Sequence, residues 1–235
     1  MDYSGSPVLH ERSAVFFDFD GTVFDTVDGI TRSVQYAIHK HSLSFPDTAT
    51  DEEERHALRC FAGPPLVDKF IEVFGVTEDT AEQLVRDFRE RYVPVGVYES
   101  APFPGIRLLL EELRASGKTV GLATSKPQAL AEMLLEQSGL RDCFDVIAGS
   151  DPNVNNNAKW EVVTRAMEGC GAAPETSVLI GDTKYDVAGA QRCSIPCVGV
   201  RWGYAAEGEL EAAGADAIVE SMEELLSLLT ADPSF

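Results

Sequence analysis

The chain has no apolar run long enough to cross a bilayer, no Cys-x-x-Cys pair, and half as many basic as acidic residues. Each lack excludes something. A membrane-spanning helix needs about 20 apolar residues in a row, so none is expected. The cysteines (Cys60, Cys143, Cys170, Cys193 and Cys197) are odd in number. That argues against a disulfide framework or a thiolate zinc site and for inert, structural thiols in a reducing cytoplasm. His10, His39, His41 and His56 show no metal-site spacing with acidic partners, so surface roles are expected. The 19 Lys and Arg against 39 Asp and Glu give a formal charge of −20, a field that repels nucleic-acid backbones and anionic lipid. An anionic substrate would have to be met by local positive charge from a metal ion, a lysine or two, or helix N-termini, within a Debye length of about 8–10 Å. Met1 to Arg12 lack the basic start and apolar centre of a signal peptide and read as a loose leader.

What is present is an ordinary globular composition, 44% apolar and 25% charged over 235 residues, enough for one large domain or two modest ones. No internal repeat is visible. Ala14-Val15-Phe16-Phe17 and Ser177-Val178-Leu179-Ile180 are short, partly β-branched apolar runs bounded by turn residues, which read as buried strands. Between the first strand and about Gly96 the apolar residues recur at helical spacing: Ile30, Val34, Ala37 and Ile38; Leu58, Phe61, Leu66, Phe70, Val73 and Phe74; Leu84, Val85, Phe88 and Tyr92. This predicts an inserted helical bundle. It would lie above the sheet edge like a lid, hinged at Phe24–Val27 and Gly96–Pro104.

From Pro102 the pattern alternates. Helices are expected at Ile106–Ser116, Gln128–Ser138, Ala158–Glu168, Val187–Arg192, from near Ala205, and at Met222–Leu229. Strands are expected at Thr119–Ala123, Phe144–Ala148, Ser177–Ile180, Pro196–Val200 and Ala217–Val219. Regular strand–helix alternation predicts an α/β fold, a parallel sheet with helices on both faces. The expected division is a core over residues 1–24 and 100–235 and a helical cap over residues 25–99.

Four groups of polar residues then fall at strand ends, where open α/β sheets bind their ligands. Asp18 and Asp20 stand before Gly21-Thr22. They read either as a carboxylate nucleophile with an acid–base partner or as turn and calcium-loop residues. Thr124, with Ser125-Lys126-Pro127 after it, reads as a phosphate cradle before a helix or as a plain helix start with Pro127 first in the helix. Lys159 follows Asn155-Asn156-Asn157 and opens a helix, where its charge opposes the dipole. It serves either to meet a phosphoryl group or hold an acid, or is simply exposed. Asp182 and Asp186 flank a strand-to-helix turn. One could bind Mg²⁺ and the other hold a metal water or pair with Lys159; alternatively Asp182 caps the helix. Clustered carboxylates of this kind are costly without a cation, and a hard divalent ion suits oxygen ligands. Trp160 reads as helix packing, and Asp51 to Glu54 as a solvated helix N-terminus.

In this order the motifs resemble the haloacid dehalogenase superfamily, near its phosphoglycolate-phosphatase-like branch, over about Ala14 to Leu229. The four family motifs fall on Asp18–Thr22, Thr124, Lys159 and Gly181–Asp186, and Trp202-Gly203-Tyr204 is typical of the branch. The resemblance implies a Rossmann-like core with an inserted helical cap. It also implies a Mg²⁺-dependent phosphatase acting on a small phosphorylated metabolite through an aspartyl-phosphate on Asp18. Asp20 would be the acid and base, and Thr124, Ser125 and Lys159 would bind the phosphate. The metal ligands would be Asp18, the Asp20 backbone carbonyl and Asp182, with Asp186 supporting a metal water. True dehalogenases lack the second aspartate, so Asp20 points away from dehalogenation. Ser125 stands where asparagine is frequent, and the three asparagines fill a region that often carries an arginine.

The expected substrate is 2-phosphoglycolate or a similar phosphomonoester. A 5'-nucleotidase, a pyrophosphatase, a phosphosugar mutase and a phosphate-binding regulator without turnover are the alternatives. The expected assembly is a monomer or homodimer with no nucleic-acid or membrane partner.

Overall fold

The computed structural model describes residues 8–151 and 158–230. In chain order the elements begin with β1 (Ala14–Phe17), β2 (Phe24–Asp25), α1 (Val27–Lys40), α2 (Asp51–Ala57), α3 (Leu66–Phe74), α4 (Glu78–Tyr92) and β3 (Ala101–Pro102). They continue with α5 (Ile106–Ala115), β4 (Thr119–Pro127), α6 (Gln128–Gln137), β5 (Val146–Ser150), α7 (Lys159–Cys170), β6 (Ser177–Gly181) and α8 (Lys184–Arg192). The last are β7 (Cys197–Val200), α9 (Glu209–Ala213), β8 (Ala217–Val219) and α10 (Met222–Thr230). The chain divides into two compact units, one of Met1–Phe24 with Pro102–Phe235 and one of Asp25–Ala101.

The first unit holds a six-stranded sheet in the order β5-β4-β1-β6-β7-β8, with parallel pairing throughout. It is the parallel α/β fold that the alternation predicts, and the Rossmann-like core that the resemblance implies. β1 is central because all four of its residues are apolar and buried. A strand covered on both faces reads as a continuous hydrophobic run rather than an alternating one. Ala14 and Phe16 turn to the side where Val163, Ala166 and Met167 of α7 and Val187 and Ala190 of α8 pack. Val15 and Phe17, also fully buried, face the opposite side. Each such phenylalanine contributes about 1.5–3 kcal/mol by leaving water. Phe17 is level with Leu122 of β4 and Ile180 of β6. That register brings the residues that follow Phe17, Leu122 and Ile180 to one edge of the sheet.

Several local boundaries differ from expectation. β4 runs on to Pro127 through an irregularity between Ala123 and Pro127, so Pro127 caps α6 instead of opening it. Thr183, not Asp182, is the N-cap of α8, which begins earlier at Lys184. β5 starts at Val146 because residues 141–143 form a 3-10 turn. The helix expected near Ala205 starts only at Glu209, after Gly208 in the left-handed region. The Asn155-Asn156-Asn157 stretch, and Met1 to Pro7 of the expected leader, lie outside the described residues.

The second unit is helical. Val34, Ala37 and Ile38 of α1 and Leu84, Phe88 and Tyr92 of α4 are buried, and α1 packs on α4. Phe45, Phe61, Phe70 and Phe74 form an aromatic cluster. His10, His39 and His56 are exposed and His41 is partly so, as the surface expectation has it, and two of them pair with acids. His39 pairs with Glu54 at 2.7 Å and His41 with Asp87 at 2.8 Å. Glu54 is accordingly buried, whereas Glu53 closes a capping box with Thr50 at the start of α2.

Candidate active site

The polar residues at the edge of the sheet all belong to the first unit. Asp18 follows β1 directly, and its backbone N–H still donates to Ile180 O at 2.9 Å. Gly21 has φ +83°, which L side chains rarely adopt, and a Cβ there would fall 2.1 Å from Oδ2 of Asp182. Glycine therefore permits both the turn after Asp20 and the close approach of Asp182.

Three carboxylates, Asp18, Asp182 and Asp186, offer oxygens within 4.8 Å of one another. Lys159 joins two of them. Its Nζ lies 2.5 Å from Oδ1 of Asp18 and 2.8 Å from Oδ1 of Asp186, and it donates to Ala123 O at 2.8 Å. Three acceptors meet the three protons of the ammonium. Burial works against the Lys159 charge, but Asp18 and Asp186 outweigh it and hold its pKa above the ordinary lysine value. This resolves the alternatives for Lys159: it is a buried, paired lysine rather than an exposed one.

Asp182 is fully buried. It accepts from Tyr204 N at 2.8 Å and from Thr22 Oγ1 at 3.3 Å. The loop after β7 is tied down by Trp202, whose Nε1 donates to Thr22 O at 3.1 Å. Burial, then the charges of Asp186 and Asp18, push the Asp182 carboxyl well above its usual range. Burial likewise raises Asp18 to about 6, against the pull of Lys159. Asp186 has a second task, since its Oδ2 accepts from Thr183 N and Oγ1, both at 3.0 Å.

Asp20 stands apart from the three-carboxylate cluster. Its Oδ1 lies 2.9 Å from Nζ of Lys126. Thr124 is buried at the edge of the sheet, and its Oγ1 accepts from Lys126 N at 3.1 Å. Ser125 is exposed. Trp160 packs as expected, with the Arg192 guanidinium over its ring at 4.2 Å. The sequence reading passed over Lys126, Thr22 and Tyr204 as partners of the acids. Thr22 lies inside the first motif, Lys126 just after the second and Tyr204 at the end of Trp202-Gly203-Tyr204, but spacing gives no sign of which acid each meets.

The donor set fits a hard divalent cation. One lysine compensates only one of the three clustered negative charges. A like-charge pair near 4 Å costs about 4 kcal/mol at an effective dielectric constant of about 20. Carboxylate oxygens alone suit Mg²⁺ better than a thiolate- or imidazole-seeking metal.

Comparison with known proteins follows the same geometry. The model of the haloacid dehalogenase-like hydrolase family matches residues 15–200. A 5'-nucleotidase of Pseudomonas aeruginosa is 37% identical over 84% of this chain and 86% of its own length. A plasmid-borne phosphoglycolate phosphatase of Cupriavidus necator is 31% identical over 93% of each chain. Among solved structures, one described as a predicted phosphatase from Clostridium acetobutylicum superposes with a TM-score of 0.84 at 35% identity, covering 91% of this chain and 96% of that one. Among the described residues no helix is long and apolar enough to cross a membrane.

Proposed function

This chain belongs to the haloacid dehalogenase-like hydrolase family and is a phosphoric monoester hydrolase, and we propose that it cleaves small phosphomonoesters by way of an Asp18 phosphoester with Mg²⁺ as cofactor. Asp18 attacks phosphorus; the new bond joins its carboxylate oxygen to phosphorus while the bond to the leaving oxygen breaks. Asp20 gives its proton to that leaving oxygen. It then takes a proton from the water that attacks phosphorus, the Asp18–phosphorus bond breaks, and phosphate departs. Thr124, Ser125 and Lys159 hold the phosphoryl oxygens, and Asp186 keeps Lys159 aimed at Asp18. Asp18, Asp182 and the Asp20 backbone carbonyl would hold Mg²⁺, with Asp186 supporting a metal water. When bound, the ion would supply positive charge against the phosphoryl oxygens. Positioning and electrostatics are most of what phosphoryl transfer requires.

The observation that carries this reading is the Lys159 ammonium shared between Asp18 and Asp186, beside the buried Asp182. For the substrate, a nucleoside 5'-monophosphate is supported by the 37% identical relative, and 2-phosphoglycolate by the 31% identical one. The test is phosphate release over a panel with Mg²⁺: 2-phosphoglycolate, nucleoside 5'-monophosphates, sugar phosphates and pyrophosphate. Release from phosphomonoesters with little from pyrophosphate is expected. Release from pyrophosphate alone, or isomerised sugar phosphate without free phosphate, would reject the reading.

A further inference from the structure

We infer that Lys126 is a positioning residue that anchors the Asp20 carboxylate where it can exchange a proton with the reacting oxygens, an inference resting on the acid–base role proposed for Asp20. Nothing in the family motifs as read from the sequence assigns Lys126 this task. The pair is close, Nζ to Oδ1 at 2.9 Å, and the lysine side chain is 3% exposed against 19% for the aspartate. The lysine is itself held at both ends. Its backbone N–H is bound by the buried Thr124 hydroxyl at 3.1 Å, and its ammonium lies 5.3 Å from the centre of the Phe19 ring. Phe19 in turn stacks on Phe24 at 4.5 Å. Lys126 thus reaches Asp20 from a fixed point on a strand of the sheet.

The chemistry gives the anchor a purpose. Proton transfer demands a carboxylate within hydrogen-bond reach of an oxygen that exists only briefly. Asp20 sits two residues from Asp18, whose own carboxylate lies in a cluster with Asp182 and Asp186. A cation drawn to that cluster would also attract a freely rotating Asp20. An opposite charge outside the cluster, on a buried and braced stem, offers Asp20 a competing partner. Thr124 and Lys126 stand two apart near the end of β4 and are both buried, with Ser125 exposed between them, so the strand supplies both to the same edge. Lys126 does not enter the bond-making steps. It acts through Asp20, so its removal should slow turnover without altering substrate capture.

The test uses phenyl phosphate, whose leaving oxygen needs a proton, with Mg²⁺ on the full chain and five proteins: wild type, Asp20→Asn, Lys126→Gln, Lys126→Arg, and Asp20→Asn with Lys126→Gln. Lys126→Gln should lower kcat by roughly 10–100-fold, a part of the full acid–base contribution, with KM within about twofold. Lys126→Arg, which keeps the charge, should recover part of the loss. The double variant should be no slower than Asp20→Asn alone. A Lys126→Gln loss that multiplies onto that of Asp20→Asn, or that appears in KM, overturns the inference. Should Lys126→Gln fail to fold, the double variant against Asp20→Asn carries the same comparison, because it leaves no charge unpaired. Asp20→Asn at the wild-type rate would instead remove the acid–base role itself, a separate failure.

Discussion

The Lys159 ammonium lies 2.5 Å from Oδ1 of Asp18, joining the start of α7 to the end of β1. A lysine in the first turn of a helix is opposed by the helix dipole, so its place is justified by what it touches. Lys159→Met would leave the Asp18, Asp182 and Asp186 carboxylates without their shared cation. Removing one partner of a buried pair costs about 3–5 kcal/mol. The carboxyls left behind would bind protons more tightly in the folded than in the unfolded chain, so stability falls as pH rises. We expect Lys159→Met to be less stable than wild type at pH 8, and to regain part of the difference at pH 5 or with Mg²⁺. Denaturant unfolding at the two pH values checks this; an equal deficit at both would contradict it.

Asp18→Asn separates chemistry from folding. Burial disfavours the ionised carboxylate at this position and raises it to about 6, so a neutral amide of similar shape should be tolerated. Lys159 keeps Asp186 and Ala123 O as partners. The expected change in stability is under about 1 kcal/mol, or roughly 2–4 °C in Tm for a chain of this size. Phosphate release should vanish. Continued release near the wild-type rate would take Asp18 out of the nucleophile's role.

Gly203 bears on Asp182 from the loop after β7. A Cβ at 203 would stand 2.2 Å from Cβ of Asp182 and 2.5 Å from its Oδ2, closer than real Cβ contacts come. The loop cannot simply retreat, because Tyr204 N bonds Asp182 and Trp202 bonds Thr22 O. Gly203→Ala should therefore displace the Asp182 carboxylate and weaken Mg²⁺ binding by about tenfold or more, the scale of losses from outer partners of a metal site. Titration calorimetry with Mg²⁺ on the folded variant decides it, and wild-type affinity would refute the claim.

These contacts mark where the sequence stops being legible. β1 and β8 were readable to the residue, because a buried strand in a parallel sheet must be apolar throughout. The edge of the sheet was readable too, since each acid follows such a run. Asp182 was less so. A strand-to-helix turn with an aspartate suits an N-cap, yet Thr183 takes that place and frees Asp182 to turn inward. Nor could spacing alone reveal that Trp202 would bond Thr22 O, which depends on β7 and β1 sharing β6 as a neighbour. Lys126 was hidden because the strand was expected to stop at Ala123, whereas β4 continues and carries the lysine inward.

The helical unit should show an acid transition of its own. Burial raises the Asp87 carboxyl, but hydrogen bonds from Lys40, His41 and Gln83 outweigh it and hold it at about 2. A carboxylate depressed in the folded state stabilises fully above its unfolded value of about 3.9 and loses that contribution as pH falls through the folded one. Asp87→Asn should lower the stability of residues 25–101 at pH 7, and the deficit should shrink between about pH 4 and pH 2. Hydrogen exchange of α1 and α4 amides at pH 7 and circular dichroism through the acid range measure it. A deficit that stays constant to pH 2 would mean that the carboxylate's charge is not what matters.

Cation binding should itself be driven by pH, with a sign fixed by burial. Desolvation lifts Asp18 to about 6 and Asp182 well above the ordinary carboxyl value. Both must lose their protons before their oxygens can serve a hard ion, so Mg²⁺ and protons compete. Affinity should therefore be highest above pH 7 and fall on acidification, by up to about tenfold per pH unit for each proton displaced. Calorimetry in two buffers of different ionisation enthalpy should register protons released on binding near pH 6. Chelation should stop phosphate release, and Mg²⁺ should restore it with the same pH dependence as the isotherm. An affinity independent of pH between 5 and 8 would mean that these two carboxylates do not hold the ion, and activity indifferent to chelator would exclude the metal from the reaction altogether.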